Sequence, residues 1–232
     1  MKQALILSCE HGGNVVPPEY AALFRTQKSV RALAGHRGMD TGALALAEAL
    51  SGQLEAPLYS ATVTRLLVDL NRSVGHRRFF SEFSRLLDGP ARDRLIEAHY
   101  EPHRRRVTEA IRGTIDRGCR ACHIAVHSFA PRLGSRERRA DIGLLYDSGR
   151  LPEQAFCARW LRNLRIADST LRVRRNYPYL GKTDGFTTHL RRIFGPERYI
   201  GIELEVNQRL LRHAPSDTAR LLVQSLADTL AA

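Results

Sequence analysis

The sequence has few cysteines, few aromatics, almost no lysine and no long apolar run, and each shortage excludes something. Four cysteines in 232 residues are too few for a disulfide scaffold. Cys119 and Cys122 form a lone C-x-x-C. A zinc ribbon needs a second such pair and a thioredoxin-like site opens a helix after a strand, so neither is supported. Cys9 and Cys157 sit among apolar neighbours and read as small buried side chains. The longest apolar runs, such as Ala4 to Leu7, fall far short of the roughly 20 residues a membrane-spanning helix requires. The N-terminus passes from Met1-Lys2-Gln3 straight into a strand-like run, without the apolar core and cleavage site of a secretory signal. There is no internal repeat, low-complexity segment or linker. The expectation is a soluble, cytoplasmic protein of one domain, residues 1–232, a length that fits the usual domain range of about 50–250 residues.

What the sequence has instead is arginine. Of 36 basic residues only Lys2, Lys28 and Lys182 are lysine, which leaves 33 arginines and a net charge of +12. Phosphate neutralisation needs such cations, so nucleic acid is one reading. The arginines, however, are spread along the chain, with denser clusters only at Arg104–Arg106, Arg136–Arg139 and Arg172–Arg175. No helix-turn-helix, zinc-finger or RNA-recognition signature accompanies them. A solvated arginine surface is favoured over a nucleic-acid footprint, and small anionic substrates suit either.

The apolar pattern alternates between two periods. Ala4–Ser8, His123–His127, Ile142–Tyr146 and Tyr199–Val206 read as strands buried on both faces, and Leu58–Leu70 as two further strand-like pieces. Between them, Thr41–Leu54, Ala91–Arg117, Glu153–Leu164 and Ser216–Leu230 carry helical spacing. Asp40 and Thr41 are placed to cap the first helix, and Pro102 interrupts or kinks the second. Asn176–Gly185 reads as a long loop. Strands alternating with helices predict an α/β domain with a mostly parallel mixed sheet and helices on both faces.

In open α/β sheets ligands bind beyond the carboxyl ends of the strands. There the sequence places Glu10 and His11, then Asp69, Asn71 and Arg72, then His127 and Ser128, and finally Glu203, Glu205 and Asn207. Two histidines with carboxylates nearby suit a divalent metal equally with a hydrogen-bonded structural role. Asp40 is economical as a helix cap and also available as a third, oxygen ligand. Glu203 and Glu205, two apart on a strand, point to the same face, where burial is costly unless a metal, an arginine or a shared proton compensates. Arg72, beside Asn71, can hold a carboxylate bidentately. His36, His76, His99, His103, His189 and His213 read as ordinary surface or packing residues.

Seven blocks carry a resemblance: S-C-E-H-G-G-N (8–14), H-R-G-M-D-T-G-A (36–43), V-D-L-N-R (68–72), H-I-A-V-H-S-F (123–129), R-R-A-D-I-G-L-L-Y (138–146), R-N-Y-P-Y-L-G-K-T-D-G-F-T-T (175–188) and I-E-L-E-V-N-Q (202–208). Together, in this order, the chain resembles the N-formylglutamate amidohydrolase family. The resemblance implies a zinc-dependent, exopeptidase-like fold and hydrolysis of a linear N-formyl or N-acyl amide of an amino acid, with a small anionic substrate. An aminoacylase- or carboxypeptidase-like hydrolase of a larger acyl group is the alternative.

By the same resemblance, His11, Asp40 and His127 are implied as ligands of one zinc ion, with Glu10 the other choice for the third ligand. Related carboxypeptidases carry a glutamate three residues after the first histidine, and here that position is Asn14, a poor ligand. Asn71 and Arg72 match the carboxylate-binding pair. Glu205 best matches the general base, with Glu203 beside it. Arg139, Asn176 and the 185–188 loop, including Thr187, suit closure over the substrate and equally suit surface charge and turn formation.

Overall fold

The computed structural model describes residues 1–231. In chain order the strands are β1 (Gln3–Cys9), β2 (Leu58–Ser60), β3 (Arg120–Phe129), β4 (Arg132–Leu133), β5 (Arg136–Glu137), β6 (Ile142–Leu145), β7 (Val173–Arg175) and β8 (Tyr199–Asn207). The α-helices are α1 (Gln27–Ala34), α2 (Ala43–Leu54), α3 (Gly89–Leu95), α4 (Glu101–Asp116), α5 (Leu151–Ala167), α6 (Phe186–Ile193), α7 (Gln208–His213) and α8 (Pro215–Ala231). Six strands form one sheet in the order β2-β1-β3-β8-β6-β7. The first four are parallel; β6 runs antiparallel to β8, and β7 follows β6. β4 and β5 make a small separate hairpin. The mostly parallel mixed α/β sheet expected from the sequence is the one observed.

Alternation along the central strands sorts chemistry from packing. Leu7 and Cys9 of β1, Cys122, Ile124 and Val126 of β3, and Ile200 to Val206 in steps of two on β8 turn to one face. There they pack under α2, α5 and α8 through Leu50, Phe156, Trp160, Leu222 and Leu226. The Trp160 indole is fully buried, and its Nε1 donates to Ser225 Oγ at 3.1 Å. Each such large apolar side chain contributes about 1.5–3 kcal/mol on burial. The intervening positions, His123 and His127 on β3 and Glu203 and Glu205 on β8, therefore turn to the opposite face. That face is covered by α4 and α6 through Val107, Ile111, Phe186 and Leu190. One face of the sheet is core, and the other carries the ionisable groups.

Several local expectations are corrected. Asp40 does not cap α2: the residue before that helix is Gly42, in the left-handed conformation (φ 81°), with no side-chain cap. The Asp40 carboxylate turns instead towards histidines and an arginine. The apolar run Leu66–Leu70 is not a strand. It is buried through turns whose N–H groups find local or loop acceptors, such as Leu67 N–H to Thr64 O and Asp69 N–H to Phe79 O, so no sheet ladder is needed. Residues 89–116 are one helical run, with a π-turn at Ile96–Tyr100 immediately before Pro102. Proline lacks the N–H for the i→i−4 bond, and the wider turn absorbs that loss. Residues 176–185 form the expected loop. It closes over the sheet because Gly143 has no side chain, where a Cβ would collide with the Tyr177 carbonyl. Among the described residues, no helix is long and apolar enough to cross a membrane.

Candidate metal centre

The turn after β1 delivers His11, the segment before α2 delivers Asp40, and the end of β3 delivers His127. His127 Nδ1 lies 2.8 Å and His11 Nδ1 3.3 Å from the same oxygen, Oδ2 of Asp40. All three residues are buried, and one ligand atom from each lies within 4.8 Å of the others. The two imidazole rings are 5.1 Å apart. Gly12 and Gly13 permit this turn, because a Cβ at either would press on the backbone of Ala61 or Thr62 beside β2.

The outer nitrogen of each ring is backed by a carboxylate. His11 Nε2 is 2.8 Å from Asp69 Oδ1, and His127 Nε2 is 3.3 Å from Glu10 Oε2. The Asp69 hydrogen bond fixes the His11 tautomer and presents its Nδ1 as a ligand, whereas His127 Nε2 and Glu10 Oε2 approach each other without forming a hydrogen bond. Glu10 therefore stands behind His127 and outside the His11–Asp40–His127 cluster. Its other oxygen meets His103 Nε2 at 3.3 Å. His103, expected to be an ordinary residue of α4, is 1% exposed and part of this network, because the α4 face that covers the sheet includes it. Arg65 was not anticipated. It bridges Asp69 Oδ2 at 2.7 Å and Asp40 Oδ1 at 3.3 Å, and the only sequence signal was its spacing of four residues from Asp69.

The electrostatics follow from this crowding. Burial works against ionisation of Asp40, yet His11, His127 and Arg65 hold its carboxyl well below the usual range. Burial opposes Asp69 likewise, and Arg65 and His11 outweigh it. Glu10, fully buried, is held low by its contacts with His103 and His127. Glu205 moves the other way. Burial, aided by Asp40 and Glu203 and only partly offset by His127, pushes its carboxyl up to about 8. Glu205 Oε2 is buried with no hydrogen-bond partner.

A cavity of about 570 Å³ opens over the cluster and is lined by His11, Asp40, His127, Glu203, Glu205 and Arg72, among others. Glu203 is partly buried and accepts from Thr187 Oγ1 at 2.9 Å. Thr187 itself is fully buried in α6 and reaches the cavity only through that contact. Asn71 also lines the cavity, and its Oδ1 accepts from the first N–H of α6, Phe186, at 2.6 Å. Arg72 donates through Nη1 to the Asp184 carbonyl, while its buried Nε has no partner. Two expected substrate contacts lie elsewhere. The Arg139 side chain is 76% exposed and touches only Glu137, whereas its neighbour Arg138 lines the cavity. Asn176, at φ 51°, spends its Oδ1 on the N–H groups of Tyr146 and Gly181, which organises its own loop.

Fold and site together define an α/β domain of hydrolase type, with a buried His-Asp-His candidate metal cluster at its strand ends. The chain belongs to the N-formylglutamate amidohydrolase family, whose model matches residues 3–212. Among solved structures it is similar to a gene product from Agrobacterium tumefaciens, at 27% identity, TM-score 0.83, and coverage of 98% of this chain and 90% of that one. It shares its fold with N-formylglutamate amidohydrolase from Ralstonia eutropha, at 24% identity, TM-score 0.70, and coverage of 99% and 93%. Comparison with curated proteins finds no match.

Proposed function

We propose that this chain hydrolyses the N-formyl or another N-acyl amide of an amino acid, such as N-formylglutamate, giving formate (or another carboxylate) and the free amino acid. His11, Asp40 and His127 would hold one divalent ion, zinc by the softness of two imidazoles and one carboxylate. The carrying observation is the convergence of two Nδ1 atoms on one Asp40 oxygen, with the His11 ring backed by Asp69 and Glu10 lying behind His127. The charge balance agrees. With both imidazoles neutral, as ligation requires, the buried carboxylates of Asp40 and Asp69 share one guanidinium, that of Arg65, while Glu10 has only imidazoles beside it, so the cluster carries an excess of negative charge that a cation offsets.

When bound, such an ion polarises an amide carbonyl and lowers the pKa of water. The remaining work falls to the chain's own groups. Glu205, whose burial-raised carboxyl the positive charge of the ion would keep ionised, takes a proton at its unpartnered Oε2 as water attacks the acyl carbon, then returns it to the departing nitrogen. Arg72 and Asn71 hold the substrate carboxylate: the Asn71 oxygen is committed to α6, which leaves its NH2 to donate alongside the Arg72 guanidinium. That grip fixes the scissile amide against Glu205. Arg138 takes the place at the cavity wall anticipated for Arg139. Thr187 orients Glu203, which stands beside Glu205 on the same face.

A second reading, a bulkier acyl group than formyl, is favoured by the cavity of about 570 Å³. That size lies within the roughly 300–1,000 Å³ that accommodates drug-sized ligands. The deciding experiment measures free amino acid released from a panel of N-formyl and N-acetyl amino acids, with zinc supplied or chelated. It compares the native chain with Glu205→Gln. Zinc-dependent release that collapses in the variant supports the reading and ranks the acyl groups; absence of release from every substrate by metal-loaded protein rejects it for this panel.

A further inference from the structure

A second cavity, of about 670 Å³, lies between α4 and α6, and it shares no lining residue with the metal cavity. Arg104, Arg105 and Arg112 of α4 and Arg192 of α6 line it, against two carboxylates, Glu101 and Glu109. Among the described residues, none of these four guanidiniums makes an ion pair with a carboxylate. Arg104 is the built element. It is 7% exposed and stacked over the Phe186 and Tyr100 rings at 4.3 and 4.9 Å, and its Nη2 is buried without a partner. Its Nη1 donates to the Leu70 carbonyl at 3.2 Å, which holds the guanidinium in place. Four guanidiniums against two carboxylates make the groove electropositive, and His189 in the same wall is held below its ordinary range by burial and then by Arg104 and Arg192. The wall is also apolar in part: Val74 and Ile193 are 62% and 43% exposed there.

We propose that this groove binds an organic phosphate, a phosphoryl group carried on an apolar or aromatic body. A buried guanidinium with an unpaired donor costs free energy unless an anion completes it. Guanidiniums clustered around one space suit a phosphoryl group, whose several oxygens accept from more than one of them. The exposed Val74 and Ile193 side chains supply the surface that the body of the ligand covers. Tyr100 Oη donates to the Arg72 carbonyl at 3.0 Å, so the groove stands back to back with the metal cavity on a shared and rigid wall.

The test is calorimetric titration of the full chain with phenyl phosphate and, separately, with inorganic phosphate. Three proteins are compared: native, Arg105→Gln/Arg192→Gln in the groove, and Arg78→Gln/Arg138→Gln in the metal cavity. All four substituted positions except Arg138 are exposed, and circular dichroism checks each fold. The expected result is saturable one-to-one binding of phenyl phosphate, tighter than inorganic phosphate, weakened about tenfold or more by the groove pair and unchanged by the cavity pair. In the native chain, phenyl phosphate is also expected to protect Arg105 and Arg192 from phenylglyoxal, read by mass spectrometry. Binding lost with the cavity pair instead, or affinity equal in all three proteins and falling steeply with salt, overturns the proposal; so does absence of saturable binding.

Discussion

His127 and Glu205 are paired residues on the adjacent parallel strands β3 and β8, so both side chains leave the same face of the sheet at the same level. His127 faces Asp40, and Glu205 keeps an unpartnered oxygen beside it in the cavity wall. The proposed metal-ligand position and the proposed proton-accepting position are thus set by backbone register, which no side-chain rearrangement can alter.

Asp40→Ala removes the oxygen on which both imidazoles converge. The protein should then lose its stoichiometric divalent ion during dialysis while native protein retains about one equivalent, as read by elemental analysis. Equal metal retention by both proteins would refute the assigned ligand set.

Asp69→Asn leaves every proposed ligand in place and changes what backs His11, together with the Asp69–Arg65 ion pair. Metal affinity, measured by competition with a chromogenic chelator, should fall about 10–100-fold. An unchanged affinity would reduce Asp69 to a partner of Arg65 alone.

Glu205→Gln should lower kcat by about 10²–10⁴-fold with metal content unchanged, as expected for loss of a general base. Glu203→Gln should cost much less, since Glu203 already accepts from Thr187. The reverse order would transfer the role to Glu203.

Arg72→Lys keeps the charge but loses the planar fork. KM for N-formyl amino acids should rise while kcat changes less, and the preference for a free over an amidated substrate carboxylate should shrink. If both substrates suffer equally, Arg72 is not the carboxylate clamp.

His123 lies fully buried between Ser8 Oγ (2.8 Å) and Tyr199 Oη (2.9 Å). Burial, with nearby positive groups overriding Glu10, lowers its pKa to about 4. The unfolded chain takes up this proton near pH 6.5, so the unfolded state binds more protons between the two values and stability falls as pH drops through that window. The loss approaches about 3 kcal/mol at its full extent. Urea midpoints from pH 7 to 4 should show a steeper acid decline for the native chain than for His123→Gln.

The sequence by itself determined the central strands β1, β3, β6 and β8 and the face each of their residues takes, though it also suggested a strand at Leu66–Leu70 and did not show β7. Period-two alternation in Tyr199–Asn207 already placed Glu203 and Glu205 together, and the apolar runs around His123–His127 required a sheet covered on both sides. Chain order and the strand-end rule brought His11 and His127 to one rim, and seven motif blocks carry the family resemblance. Only the tertiary structure decided what each polar group meets. Asp40 is the clearest case: its local context is equally that of a helix cap, and the choice was made by His11, 29 residues away, and His127, 87 residues away. Arg65 shows only its spacing from Asp69, Arg104 only its place in an arginine cluster and His103 no signature, because an ionisable side chain is assigned by the charges and rings packed against it. Those partners come from distant segments, and local propensity and periodicity do not register them.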